Sequence, residues 1–286
     1  MNLKRINLTP YLLLLPSLIF LAFFFAWPMV QSFALAFQSG DGQLTLAHVQ
    51  RMVQDVAFDD ALRTTLVLIV AILPLQFILA LIMALLMQAQ LRGAGLFLYI
   101  YAIPLGISDL AAGIIWFSIF TERGYLNSIL HGLGLLDKPF IWLNYQTPGW
   151  LFLAVVLAEV WRATAIVMVI LVAGLQSIPR DYLEAAEVFG AGLFDKVRRV
   201  ILPLLRPSLQ VALILRTILA FQVFAVVLAL AGRGMSVLAS EAYRWYNSYR
   251  NPNVAAAYAA LIMLLSIVAT VLYLRALYTR EEAMKL

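Results

Sequence analysis

Ile178-Pro179-Arg180-Asp181-Tyr182-Leu183-Glu184-Ala185-Ala186-Glu187-Val188-Phe189-Gly190, running on to Val200-Ile201-Leu202-Pro203, is a polar, basic segment between two long apolar runs. It holds a Glu-Ala-Ala, a Gly six residues after that Glu, and a Leu-Pro twelve residues after the Gly. Asp181 is suited to cap a helix start, where free N–H groups and the helix dipole favour an acid. Tyr182, Leu183, Ala186 and Phe189 then recur at helical spacing and predict one apolar stripe. Gly190 permits a sharp reversal that a side chain would resist. Leu193 to Val200 resumes a basic amphipathic helix, which Pro203 and Pro207 end. The expectation is a helix, a turn and a second helix beneath a membrane, shaped as a handle for another protein.

The membrane follows from composition. Of 286 residues, 64% are apolar and 12% charged, against roughly half and a quarter in soluble domains. No basic stripe lies on a soluble domain able to present it, which argues against nucleic acid as a partner. The chain has no Cys, so disulfides, thiolate metal sites and a Cys nucleophile are excluded. His48 and His131 stand alone in loops without a second ligand at metal spacing, and are read as solvated. No nucleophile elbow and no Glu-x-x-His pair occurs, and an enzyme is not expected.

A helical span needs about 20 mostly apolar residues, and six segments qualify: Tyr11 to Phe37, Thr64 to Met87, Leu96 to Phe120, Trp150 to Gly174, Leu209 to Ala231 and Val254 to Leu277. The first far exceeds a signal-peptide core, although Ala34-Leu35-Ala36 has the form of a cleavage site. Lys4, Arg5, Arg92, Arg180, Lys196, Arg198, Arg199, Arg206, Arg280 and Lys285 fall on one side. Arg51, Arg63, Arg123, Lys138, Arg233, Arg244 and Arg250 fall on the other, in longer loops. Positive charge concentrated in short connections marks the cytoplasmic side, so both termini and the opening segment are placed there. Neither outer loop, Gln38–Arg63 or Thr121–Gly149, is long enough for a folded domain. Residues 1–286 are therefore read as one transmembrane domain, with a peripheral first helix at 11–37, core helices within 64–277 and the cytoplasmic loop at 178–207.

Spacing alone leaves that loop two readings: a basic helix lying on anionic lipid, or a helix docking on a partner through the small Ala185 and Ala186. Glu184-Ala185-Ala186, then Gly190, Val200 and Leu202-Pro203, resembles the EAA loop of permeases in binding-protein-dependent ABC importers. AGLQSIPRDYLEAAEVFGAGLFDKVRRVILPLLRP (173–207) is similar to the carbohydrate-uptake branch, which includes maltose, trehalose and glycerol-phosphate permeases. YAIPLGISDLAAGIIWFSIFTERGYLNSILHGLGL (101–135) and LRTILAFQVF (215–224) are similar to the third and fifth spans of the first permease in such systems. Phe189 stands where many relatives have Asp, Val200 replaces the usual Ile, and Gly232-Arg233-Gly234-Met235 stands where relatives often have Gly-Gly-Pro.

The resemblance implies an all-α membrane protein of the type I ABC importer fold, in the inner membrane of a bacterium or archaeon. It implies a second homologous permease, two ATP-binding subunits, an extracytoplasmic solute-binding protein and a sugar or related polyol as cargo. Glu184, Ala185, Ala186, Gly190, Leu202 and Pro203 would form the ATPase-coupling handle. No G-x-x-x-x-G-K-[ST] phosphate loop occurs, so ATP and Mg belong to the partner ATPases and this chain holds no cofactor.

Ionisable residues inside spans cost about 2.5–3.5 kcal/mol on insertion scales, so each needs a partner or water. Glu159 and Arg162 lie three residues apart on one helical face, Arg216 lies in the fifth span, and Asp109 lies toward the interior of the third. They either lock spans together or line a polar path near mid-membrane. By position, the resemblance assigns the substrate path to Glu159, Arg162, Ala163, Ile166, Arg216, Leu219, Ala220 and Val223, with Gln222 added as a neutral hydrogen-bonding neighbour. Two rivals stand beside the importer subunit: a self-sufficient ion- or proton-coupled transporter using Glu159, Arg162 and Asp109 as a relay, and a scaffold with no transport path.

Overall fold

The computed structural model describes residues 9–89 and 93–277. Lys4, Arg5, Arg92, Arg280 and Lys285, on which the orientation partly rests, lie outside them. The α-helices are α1 (Thr9–Leu21), α2 (Trp27–Phe37), α3 (Ala47–Val53), α4 (Phe58–Gln88), α5 (Ala94–Ala102), α6 (Asp109–Phe120), α7 (Tyr125–Gly132), α8 (Pro148–Gln176), α9 (Arg180–Val188), α10 (Leu193–Lys196), α11 (Leu202–Leu204), α12 (Arg206–Phe221), α13 (Ala225–Ala231), α14 (Leu238–Asn247) and α15 (Pro252–Ala276). Four helical stretches are long and apolar enough to cross a membrane: Tyr11–Phe37, Phe58–Gln88, Pro148–Gln176 and Pro252–Ala276. Two bent pairs, Ala94–Gly106 with Asp109–Gly132 and Leu193–Leu204 with Arg206–Phe221, raise the number to six if each counts as one span.

The chain divides into two packing units: residues 1–58 with 241–261, and residues 59–240 with 262–286. In the first, α1 and α2 join through a π turn at Ala22–Ala26, just ahead of Pro28, whose missing N–H leaves a carbonyl unpaired in the preceding turn. The most apolar window of Tyr11–Phe37 buries nothing, the pattern of a helix facing lipid. Asp55 ties this unit together: its Oδ2 accepts from Trp245 Nε1 at 2.6 Å and from the Tyr258 hydroxyl at 3.1 Å.

The second unit is organised by α8, whose apolar window is the most buried of the four. Two apolar clusters lie along it. One gathers Leu68, Ile72, Val155, Val156, Val223, Val226 and Val227. The other gathers Ala80, Ala84, Val167, Met168, Leu171, Leu205 and Ala212. Gln76 falls between the two clusters along α4, Glu159 lies within the first cluster's stretch of α8, and Arg216 follows Ala212 on α12.

Two expected spans are not single helices. Leu96 to Phe120 breaks at Ile107-Ser108, and its arms bend by 105°. Pro104 cannot donate within the turn, and Ser108 instead caps α6, its Oγ accepting from the Ala111 N–H at 3.2 Å. Leu209 to Ala231 breaks at Gln222-Val223-Phe224, with no Gly or Pro to announce it. The cause is tertiary. A Cβ on Gly113 of α6 would stand 2.6 Å from Ala229 Cβ and 3.2 Å from Val226 Cα, so α13 is drawn onto α6 at a distance only glycine allows.

Candidate functional site

One polar network joins four helices of the second unit. Arg216 Nη2 lies 2.8 Å from Glu159 Oε2, and Arg162 Nη2 lies 3.1 Å from the same oxygen. Arg216 Nε donates to Gln76 Oε1 at 2.8 Å, and the Gln76 amide nitrogen donates to the Glu159 main-chain carbonyl at 2.8 Å. Arg162 Nη1 reaches Asp109 Oδ1 at 2.8 Å. Two guanidinium groups thus face two carboxylates. Burial grades along the chain, with side-chain exposures of 0% for Arg216, 1% for Glu159, 17% for Arg162 and 52% for Asp109. The inner pair is a lock deep in protein; the outer pair has access to its surroundings.

Sequence reasoning missed Gln76. Its signal was available, because it is the sole hydrogen-bonding side chain between Thr65 and Gln88 in an otherwise apolar helix. Asp109 was expected inside the third span, yet it opens α6 immediately after the break, which is why it remains half exposed. The nine substrate-path candidates do not share one surface. Glu159, Ala163, Arg216, Ala220 and Val223 are buried among this chain's own helices, whereas Arg162 and Ile166 are partly exposed and Leu219 and Gln222 are exposed. His48 and His131 are engaged rather than merely solvated: His48 Nε2 is 3.1 Å from the Gln38 carbonyl and His131 Nδ1 is 3.0 Å from that of Leu136.

The 178–207 segment forms helix α9, a reversal and a second helical stretch. The reversal is a Schellman turn: the Gly190 N–H donates to the Glu187 carbonyl and the Ala191 N–H to the Ala186 carbonyl, both at 2.9 Å. Gly190 holds φ at +76°, where a residue with a Cβ is strained. Asp181 does not cap α9. Pro179 holds the N-cap position without a side-chain bond, and Asp181 falls in the first turn, where only the dipole favours it. The apolar stripe is also narrower than expected. Leu183 packs on the cluster around Leu175 and Ile178, and Ala186 is half-buried, while Tyr182 and Phe189 face outward. Phe189 is 89% exposed, and Val188, Leu193 and Phe194 beside it are exposed as well. Glu184 and Ala185 lie on the open side, Leu202 is partly buried and Pro203 exposed, in the stretch that bends by 71° into α12.

The family of binding-protein-dependent transport system inner membrane components matches residues 76–277. The chain belongs to that family. It is thus a permease of the ABC importer class, a multi-pass inner-membrane protein, and the relatives it matches are transport subunits. The trehalose/maltose transport system permease protein MalF of Thermococcus litoralis is 36% identical over 206 residues, 70% of this chain and 68% of that protein. A probable ABC transporter permease of Brucella suis is 30% identical, covering 96% of this chain and 97% of its own length. The sn-glycerol-3-phosphate transport system permease protein UgpA of Yersinia pestis is 29% identical, covering 93% and 92%. In fold, the permease superposes with a TM-score of 0.78 on a chain of a bacterial ABC transporter importing the acidic polysaccharide alginate. Identity there is 20%, with 94% of each chain covered. The helix breaks at 107–108 and 222–224 therefore occur in an ABC importer permease fold.

Proposed function

We propose that this permease forms part of an ATP-driven importer for a sugar or related polyol, moving cargo by alternating access. In this reading it pairs with a second homologous permease, two ATP-binding subunits that hold ATP and Mg, and an extracytoplasmic solute-binding protein. Both termini lie in the cytoplasm. The observation that carries the reading is the exposed α9 and its Schellman turn at Gly190, inside a chain whose family is defined by dependence on a binding protein. Glu184 offers a carboxylate with no ion pair among the described residues, Ala185 permits close approach, and Gly190 fixes the reversal. Closure of the ATPases would push α9, and the stretch through Leu202-Pro203 would carry that push into α12 and Arg216.

The carbohydrate class is supported by relatives named for trehalose, maltose and sn-glycerol 3-phosphate. Within the membrane, the partly exposed Arg162 and Ile166 and the exposed Leu219 and Gln222 are the side chains able to meet cargo without unpacking the core, while Glu159 and Arg216 hold α8 to α12. The ion-coupled alternative is less favoured, since Glu159, Arg162 and Asp109 are already joined in ion pairs and the family depends on a binding protein.

The test is purification from native membranes followed by reconstitution. An ATPase should co-purify, and Glu184→Lys should leave ATP hydrolysis running while uptake of labelled maltose, trehalose or sn-glycerol 3-phosphate stops. Uptake by the purified chain alone, driven by a proton gradient, would end this reading.

A further inference from the structure

We propose that Glu187 and Lys196 form a strut across the Gly190 turn, making α9 and the following helical stretch one rigid lever. This rests on the coupling role proposed above for residues 178–207. Lys196 Nζ lies 2.6 Å from Glu187 Oε1, bridging nine residues and both arms of the reversal. The two ends are unequal. The Lys196 side chain is 21% exposed and that of Glu187 61%. The Lys196 stem is largely covered by the chain while the pair itself stays open to the surroundings, so the packing of the stem aims the ammonium group at Glu187. The two acids of α9 thereby divide their work: Glu184 stays open for a partner, and Glu187 is engaged within the chain.

The backbone makes such a strut necessary. The turn is closed by two main-chain bonds, one accepted by Glu187 itself, and pivots on a glycine. Glycine permits the φ of +76° but opposes little resistance to change in neighbouring torsions. A push on α9 could be absorbed there as bending. An ion pair from Glu187, one turn before Gly190, to Lys196, six residues beyond it, closes a second connection and makes bending break a charge-assisted bond. The Asp195–Arg199 pair cannot do this, since both its members lie beyond the turn. Glu187 and Lys196 are positioning residues; neither is required to touch the ATPase or the cargo.

The test uses the absence of Cys from the chain. Val188→Cys on α9 and Val211→Cys on α12, both exposed, carry spin labels in the complete purified importer, and pulsed dipolar spectroscopy compares the nucleotide-free state with one holding a non-hydrolysable ATP analogue. In the otherwise native chain the distance should be narrow in both states and shift with nucleotide. Glu187→Lys and Lys196→Met should each broaden it, cutting the population that follows the nucleotide about two- to fivefold, the range of a partly exposed ion pair. The exchange Glu187→Lys/Lys196→Glu should restore the narrow response. A strut serving only stability would behave differently. Glu187→Lys would then lower the yield of assembled complex more than Lys196→Met, which sets no two like charges side by side, and surviving complexes would respond normally. Normal response in Lys196→Met, or no restoration by the exchange, overturns the proposal while leaving the coupling reading intact. No nucleotide response in the otherwise native chain overturns both.

Discussion

Glu159→Gln and Arg216→Met should differ in cost although they break the same ion pair. Arg216 is fully buried, and among the described residues Glu159 is its sole carboxylate partner; Gln76 supplies a neutral oxygen. Removing the carboxylate therefore leaves a buried guanidinium with uncompensated charge, the situation that costs about 3–5 kcal/mol. Removing Arg216 instead leaves Glu159 with Arg162, 3.1 Å from the same oxygen, so the deficit should fall to about half. Replacing both, as Glu159→Gln/Arg216→Met, leaves no unpaired charge in the inner pair and should recover much of the loss. At about 2–4 °C per kcal/mol for a chain of this size, Glu159→Gln lowers the apparent melting point by about 10 °C and Arg216→Met by about 5 °C. The assay is loss of the monodisperse gel-filtration peak of the detergent-purified importer after stepwise heating. Equal shifts for the two single variants, or a double variant that equals their sum, would refute the account of Glu159 as a shared anion.

Other outcomes follow from backbone and packing. Nothing lies within 4 Å of a Cβ built on Gly190, so substitutions there are penalised by φ alone, and transport should fall in the order Gly, Asn, Ala, Val, with about 1–2 kcal/mol between Gly and Ala. A Cβ on Gly174 would run into the Ser208 hydroxyl and stand 2.6 Å from Ser208 Cβ. Gly174→Ala should therefore destabilise the α8–α12 contact by about 1–3 kcal/mol, and Ser208→Gly on that background should return most of it in the same heating assay. Buried Asn127 bonds the Glu122 and Phe140 carbonyls, the Phe140 N–H and Trp142 Nε1. Asn127→Ala should expose the 121–147 loop to limited proteolysis and change the Trp emission of the importer.

Most of the helical framework was legible because a span announces itself by length and apolarity. Tyr11–Phe37, Phe58–Gln88, Pro148–Gln176 and Pro252–Ala276 agree with their predicted spans to within a few residues, apart from an earlier start for Phe58–Gln88. The break at Ile107-Ser108 had local signals in Pro104, Gly106 and Ser108, but these were outweighed by the surrounding apolarity. The break at Gln222-Val223-Phe224 had none, since Gly113, over a hundred residues earlier, is what allows α13 to leave the line of α12. The charge network was half legible. Glu159 and Arg162 declare themselves by their i,i+3 spacing, and Arg216 by its isolation in an apolar run. Their mutual pairing depends on helix rotation, which hydropathy does not encode, and Gln76 carries no charge to draw attention. Along 178–207, the Gly190 turn was readable from residue type. Which face of α9 is open was not, because Leu183 and Tyr182 are both apolar enough to be buried and only packing against Leu175 and Ile178 chooses between them.

The positions of the breaks and of the charges explain one another. A helix interrupted inside a membrane exposes carbonyls and N–H groups that lipid cannot satisfy, so irregular backbone is tolerated only beside protein or water. The first break is met by Ser108 and places Asp109 within reach of Arg162; the second follows Arg216 by two turns, with Gln222 exposed at its start. The polar network thus runs from a buried lock, where Glu159 holds Arg216, to an accessible end at the α5–α6 break. On the coupling role proposed for residues 178–207, motion delivered there would enter α12 beyond the 71° bend and meet Arg216 before the second break. A push large enough to separate Glu159 from Arg216 would unpair a buried charge, so the economical response is for α8 and α12 to move together and for rearrangement to fall at Asp109–Arg162 and at 222–224. Disulfide trapping can decide this. A Cys pair joining α8 and α12 near Glu159 should leave nucleotide-driven motion intact, whereas a pair at positions 109 and 162 should arrest it. Arrest by the α8–α12 link would mean that the inner pair separates during the cycle, and that Glu159 and Arg216 belong to the moving path.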